Sequence, residues 1–190
     1  PAQGGAILAG NHLSVADEWM LGSVVPRHIA FWAKSDYFTG GGISGFLMKT
    51  LMSGLGAIPV DRSGGRAAVT ALDAAIPVLR AGGLVAIYPE GTRSPDGRLY
   101  RGRTGMARLA AAAEVPIIPV GAVGTAEVQP IGTVVPRMGK TVVMRFGEPV
   151  VVDPSTAGSA LRSVTDEVMC RIRDLTGQEY VDRYAPSRAS

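Results

Sequence analysis

The chain has 190 residues, 46% of them hydrophobic and 18% charged, with a formal net charge of +3. That balance excludes a disordered or low-complexity chain and fits one globular domain with a core of its own. The arginines are scattered with no basic block, which argues against nucleic acid and for anionic small molecules or anionic lipid surfaces as partners.

Residues 5–10 form a short apolar run of buried-strand type, and residues 17–25, with Trp19, Met20 and Leu21, read as a helix. Between them lies Asn-His-Leu-Ser-Val-Ala-Asp, residues 11–17, which sets His12 at a strand end five positions before Asp17. Five residues along one helix would point the two side chains apart. They meet only if the chain turns between them, with Ser14 as the N-cap. An imidazole held by a carboxylate can draw a proton from a hydroxyl, the carboxylate fixing the tautomer and stabilising the imidazolium. The plainer alternative is that His12 ends a strand and Asp17 favours the positive end of its helix.

Residues 28–33 read as a second buried strand ending at Lys34, a candidate anion contact because ligands bind at strand ends in open α/β sheets. His28, beside Arg27, is an exposed or structural histidine. Residues 40–45 contain G-x-G-x-x-G, but residues 35–39 separate the glycines from the strand, so a flexible turn replaces a dinucleotide site. Residues 43–55 are apolar almost all round. Such a helix is either core or a surface for something greasy, with Phe46, Leu47, Met48, Leu51 and Met52 as acyl-chain or membrane contacts. A short strand at 57–60 carries Pro59 and runs into Asp61 and Arg62, whose guanidinium can fork onto a phosphate. An amphipathic helix follows over 66–80, with a kink expected at Pro77.

Residues 84–88 are the clearest buried strand, followed at once by Pro-Glu-Gly-Thr-Arg-Ser, residues 89–94. Glu90 and Arg93 share this turn, where they engage each other or Arg93 faces an anion. Residues 94–97 signal a further turn, and Arg98, Arg101 and Arg103 add positive charge beyond it. A helix is expected over 105–113, a strand over 115–121 with proline at both ends, and a strand over 142–146. That last strand stands where a P-loop would need a helix after Gly139-Lys140-Thr141, so the look-alike fails. Residues 159–175 pattern as a helix, with Glu167 four before Arg171 and Cys170 as buried filler. A single cysteine rules out an internal disulfide and fits a reducing compartment. There is no run of about 18 apolar residues, and no signal peptide is recognisable in residues 1–190. The chain begins at Pro1, and an N-terminal membrane-facing segment is expected ahead of it.

The expected fold is α/β: a single layered domain over residues 1–190, with a mixed, largely parallel central sheet flanked by helices and the motif residues gathered at strand ends.

With these blocks in order, the chain resembles the glycerolipid acyltransferases, above all the 1-acyl-sn-glycerol-3-phosphate acyltransferases. The family's N-H-x4-D appears as Asn11, His12 and Asp17; its strand ending in arginine as residues 56–62; its Pro-Glu-Gly-Thr-Arg-Ser as residues 89–94; and its apolar block around a proline as residues 115–120. The resemblance implies that His12 is the general base and Asp17 its orienter. Arg62, Arg93 and Lys34 would hold the glycerol phosphate, and Glu90, Gly91 and Thr92 would form the acceptor-site turn, Glu90 positioning Arg93. It further implies a fatty acyl group passing from acyl-CoA or acyl carrier protein to the free hydroxyl of a lysophospholipid, giving phosphatidic acid. No cofactor beyond that co-substrate, no metal and no enzyme nucleophile is implied, in keeping with the lack of G-x-S-x-G. Peripheral attachment at the cytoplasmic face of the cell membrane follows from the basic surface and the lipid product. Two other readings stay open: acylation of glycerol 3-phosphate or another lysophospholipid, and a non-catalytic lipid- or phosphate-binding module.

Overall fold

The computed structural model describes residues 3–34, 58–60, 72–133 and 135–186. Its centre is a five-stranded sheet in the order β2-β5-β1-β7-β8, formed by β1 (Ala6–Gly10), β2 (Ile29–Ala30), β5 (Leu84–Ile87), β7 (Ile117–Val123) and β8 (Val143–Phe146). The first four strands run parallel and β8 is antiparallel to β7. Two short parallel pairs stand beside it: β3 (Trp32–Lys34) with β4 (Ile58–Val60), and β6 (Leu99–Tyr100) with β9 (Tyr180–Val181).

β1 is buried along its whole length, as an interior parallel strand must be, and its side chains alternate between two cores. Ile7 and Ala9 join Val85, Ile87 and Ile117 on the face covered by α2 (Ile76–Arg80), α3 (Gly105–Ala113) and α5 (Ser159–Thr176). Ala6 and Leu8 join Leu84, Ala86, Ile118 and Val120 on the face that meets Leu21 of α1 (Ala16–Val24). The alanines of α3 let it lie close to the sheet. Met106 and Leu109, both 1% exposed, supply its bulk, each burial worth about 1.5–3 kcal/mol.

Among the described residues, no helix is long and apolar enough to cross a membrane. Three expectations need correction. The strand expected over 28–33 divides at Phe31. Ile29 and Ala30 stay on β5, but the indole N–H of Trp32 then donates to the Ala86 carbonyl, occupying the edge a continuing strand would have used, and the chain turns away to β4. Cys170 is exposed, because the buried stripe of α5 runs through Thr165, Val168, Met169 and Ile172 and leaves position 170 beside it. The helix reaching residue 80 is interrupted at Ala75 and restarts as α2, with Pro77 in the first turn, where its missing N–H is no loss. The expected acyl-contact residues Phe46, Leu47, Met48, Leu51 and Met52, with Arg62, lie outside the described residues, as does residue 71 and the rest of the helix start.

Candidate active site

The site stands where β1 and β5 end side by side. Asn11, fully buried, continues β1 with its side chain: the amide donates to the Ala122 carbonyl at 2.9 Å and its oxygen accepts the Ala122 N–H at 2.8 Å. The amide thereby takes over the strand pairing as the main chain leaves the sheet, which frees residues 12–15 to turn.

The turn is organised by Asp17. Its Oδ2 accepts the N–H groups of Leu13 at 2.7 Å and Ser14 at 2.8 Å, and meets His12 Nδ1 at 2.9 Å. Ser14 Oγ accepts the Ala16 N–H at 3.0 Å and donates to the Gln129 carbonyl at 2.6 Å. Asp17 reaching back to the Ser14 N–H while Ser14 caps the first turn is the reciprocal arrangement of a capping box, although the residue bordering the helix is Val15. The spacing that looked unfavourable on a helix is thus resolved by the turn.

These bonds favour a proton on Nδ1 of His12. Two of the three groups facing Asp17 Oδ2 are backbone N–H groups, so that oxygen is an acceptor and Nδ1 carries a proton toward it. In the neutral imidazole that arrangement leaves the lone pair on Nε2, on a side chain 15% exposed. Asp17 itself is 1% exposed, and its Oδ1 is buried with no hydrogen-bond partner among the described residues. The Tyr88 ring stacks on the imidazole, centroids 4.0 Å apart and planes 14° from parallel, so the ring is fixed by an edge contact and a face contact together.

Glu90 holds the same histidine from behind. One carboxylate oxygen accepts the His12 N–H at 3.1 Å and the other the Tyr100 N–H at 2.9 Å, while the His12 carbonyl accepts the Ser94 N–H at 2.7 Å. Burial pushes the Glu90 carboxyl up to about 7 against the pull of those two N–H groups, with the charges of Asp17 and Asp96 adding to the rise. Gly91 turns the chain at φ +77°, where an added Cβ would sit 2.9 Å from Arg103 Nε.

Arg93 and Thr92 are half-buried in this turn. Lys34 is the last residue of β3 and lies in register with Val60, two positions before Arg62. The arginines downstream are committed to their own chain. Arg98 pairs with Asp96 at 2.6 Å and Glu179 at 3.6 Å, Arg101 with Asp182 at 3.6 Å, and Arg103 lies 5.1 Å from the centroid of the Tyr184 ring. Glu179, Asp182 and Tyr184 lie beside β9, in exposed pairings that contribute little to stability. A groove of about 620 Å³, bordered by Leu8, Leu84, Ile118 and Phe146, touches neither the His12–Asp17 pair nor residues 89–94.

Sequence reasoning did not find Tyr88 or Tyr100, nor the task of Asn11. Tyr88 stands directly before the Pro-Glu-Gly turn, but nothing local says that its ring meets His12, 76 positions away in the chain.

This geometry has relatives. Residues 1–123 match the family described as Acyltransferase, and the chain belongs to that family. It is 32% identical over 128 residues to the chloroplastic 1-acyl-sn-glycerol-3-phosphate acyltransferase of Arabidopsis thaliana, covering 67% of this chain and 34% of that one. It is 34% identical over 118 residues to the 1-acyl-sn-glycerol-3-phosphate acyltransferase of Bacillus subtilis (strain 168), covering 61% and 56%. The crystal structure of the 1-acyl-sn-glycerophosphate acyltransferase PlsC from Thermotoga maritima superposes with a TM-score of 0.63 at 29% identity, over 90% of this chain and 66% of that one. The chain therefore spans a third to just over half of these two curated relatives.

Proposed function

We propose that this protein transfers a fatty acyl group from an acyl thioester, carried by CoA or acyl carrier protein, to the free sn-2 hydroxyl of 1-acyl-sn-glycerol 3-phosphate. His12 Nε2 takes the hydroxyl proton as the oxygen attacks the thioester carbonyl. The C–O bond forms, the C–S bond breaks, and the proton passes from the imidazolium to the departing thiolate, leaving phosphatidic acid and a free thiol. Asp17 holds Nδ1–H and offsets the transient charge on the ring. Arg62, Arg93 and Lys34 bind the glycerol phosphate, beside a turn made by Glu90, Gly91 and Thr92. Phe46, Leu47, Met48, Leu51 and Met52 meet the acyl chain or the bilayer, and the protein works as a peripheral enzyme at the cytoplasmic face of the cell membrane.

The observation that supports this reading most is the three-donor arrangement at Asp17 Oδ2, which points the basic nitrogen of His12 away from the carboxylate. A binding module has no use for it. The test is thiol release on mixing acyl-CoA with 1-acyl-sn-glycerol 3-phosphate. Wild type should release thiol in step with phosphatidic acid, and His12→Ala should be slower by about 10²–10⁴. Turnover unchanged in His12→Ala would refute the assignment.

A further inference from the structure

The segment after α4 (Thr125–Val128) emerges at the sheet end where the dyad lies, because Ala122 of β7 is paired by Asn11 and Gln129 accepts the Ser14 hydroxyl. It folds on itself. The Arg137 N–H bonds the Val128 carbonyl at 2.7 Å, and the Thr133 N–H and hydroxyl both bond the Pro130 carbonyl, at 3.0 and 2.7 Å. A loop so closed could turn its apolar side chains inward. Instead Val135 is 77% and Met138 91% exposed, with Ile131 exposed beside them and the cations Arg137 and Lys140 between and after them. Lys140 has an exposed pairing with Glu127 at 3.6 Å, which is worth little in water. Across the Ser14–Gln129 bond, Val15 and Trp19 are exposed four residues apart, hence on one face of α1.

Bare apolar side chains cost free energy in water and recover it only on leaving water. Interleaved cations match an anionic headgroup layer. We infer that the surface carrying Ile131, Val135, Arg137, Met138 and Lys140, with the Val15 and Trp19 face of α1, seats on an anionic lipid bilayer, Val135 and Met138 entering the interface and Arg137 and Lys140 meeting lipid phosphates. The dyad then opens toward the leaflet that holds its lipid acceptor, a consequence that rests on the function proposed above, whereas the seating itself does not.

The test is partition onto phosphatidylglycerol-containing and pure phosphatidylcholine vesicles. Val135→Asp with Met138→Asp should weaken partition onto anionic vesicles by about tenfold or more, and Arg137→Gln with Lys140→Gln should weaken it on anionic vesicles alone. As a local readout, Met138→Cys in a Cys170→Ser background, carrying an environment-sensitive dye, should shift to the blue with anionic vesicles. A dye that does not respond, or partition unchanged by the acidic pair, overturns the proposal. So does a loop variant that seats normally on vesicles but loses turnover only with a carrier-protein donor, since that would make the loop a protein-docking surface. His12→Ala should partition as wild type does, so failure of the chemistry and failure of the seating read out separately.

Discussion

Glu90 reaches back 78 positions to take the backbone N–H of His12 on one carboxylate oxygen, while the other holds Tyr100. The residue joins the strand end bearing His12 to the β6–β9 pair. Both of its carboxylate oxygens take a backbone N–H group, one on each side.

Its ionisation has opposite effects on stability and on catalysis. The Glu90 carboxyl is raised from 4.5 to about 7 in the folded protein. The folded state therefore holds this proton more tightly than the unfolded one. The stability it contributes is fully present below about 4.5 and is lost as pH rises through about 7, a span worth on the order of 3 kcal/mol at most. The clamp on two N–H groups, however, needs the ionised form. Glu90→Gln should keep or raise Tm at pH 8, yet lower kcat with little change in the acceptor KM, because an amide can accept only one of the two N–H groups. A variant with wild-type kcat at pH 8 would show that the clamp does not position His12.

Asp17→Asn retains an oxygen for the turn but loses the charge that pairs with the imidazolium. We expect kcat to fall by about 10²–10⁴ with a modest loss of Tm. Asp17→Ala should in addition destabilise the protein by about 1–3 kcal/mol for each N–H of Leu13 and Ser14 left buried, measured by urea unfolding.

Tyr88 separates packing from polarity. Its hydroxyl is buried with no hydrogen-bond partner among the described residues, and burial, with the nearby charges of Asp17 and Glu18, keeps it protonated well past the ordinary range. Tyr88→Phe should be neutral or slightly stabilising, with kcat unchanged, whereas Tyr88→Leu should lower kcat by loosening the stacked imidazole. Equal kcat in the two variants would remove the stack from the mechanism.

Asn11→Leu has no counterpart for the two bonds to Ala122. It should cost about 2 kcal/mol or more in unfolding free energy, because the Ala122 N–H and carbonyl stay buried. Activity should fall with it, since the same pairing decides where the chain turns toward His12. Full stability in this variant would contradict the strand-extending role.

Much of this was legible in the chain itself. The buried strands were readable from apolar runs, the helix over 105–113 from its run of alanines and the helix over 159–175, observed to reach Thr176, from its periodicity, because these patterns are local. The dyad could be named because His12 and Asp17 are five apart and Ser14 offers a cap between them, so a single turn decides their contact. What escaped depended on other segments. The strand over 28–33 broke because a tryptophan indole found a carbonyl of β5, and Cys170 faced out because one position of phase separates it from the stripe that meets the sheet.

The sequence alone determined the α/β order of elements and the residues able to do proton chemistry, since backbone propensity and the functional group a side chain carries belong to each stretch by itself. Only the tertiary structure decided that β5 ends beside β1, bringing Tyr88 to the face of the imidazole and Glu90 to its backbone. Those contacts join positions about 80 residues apart, and their energy exists only once the sheet has paired.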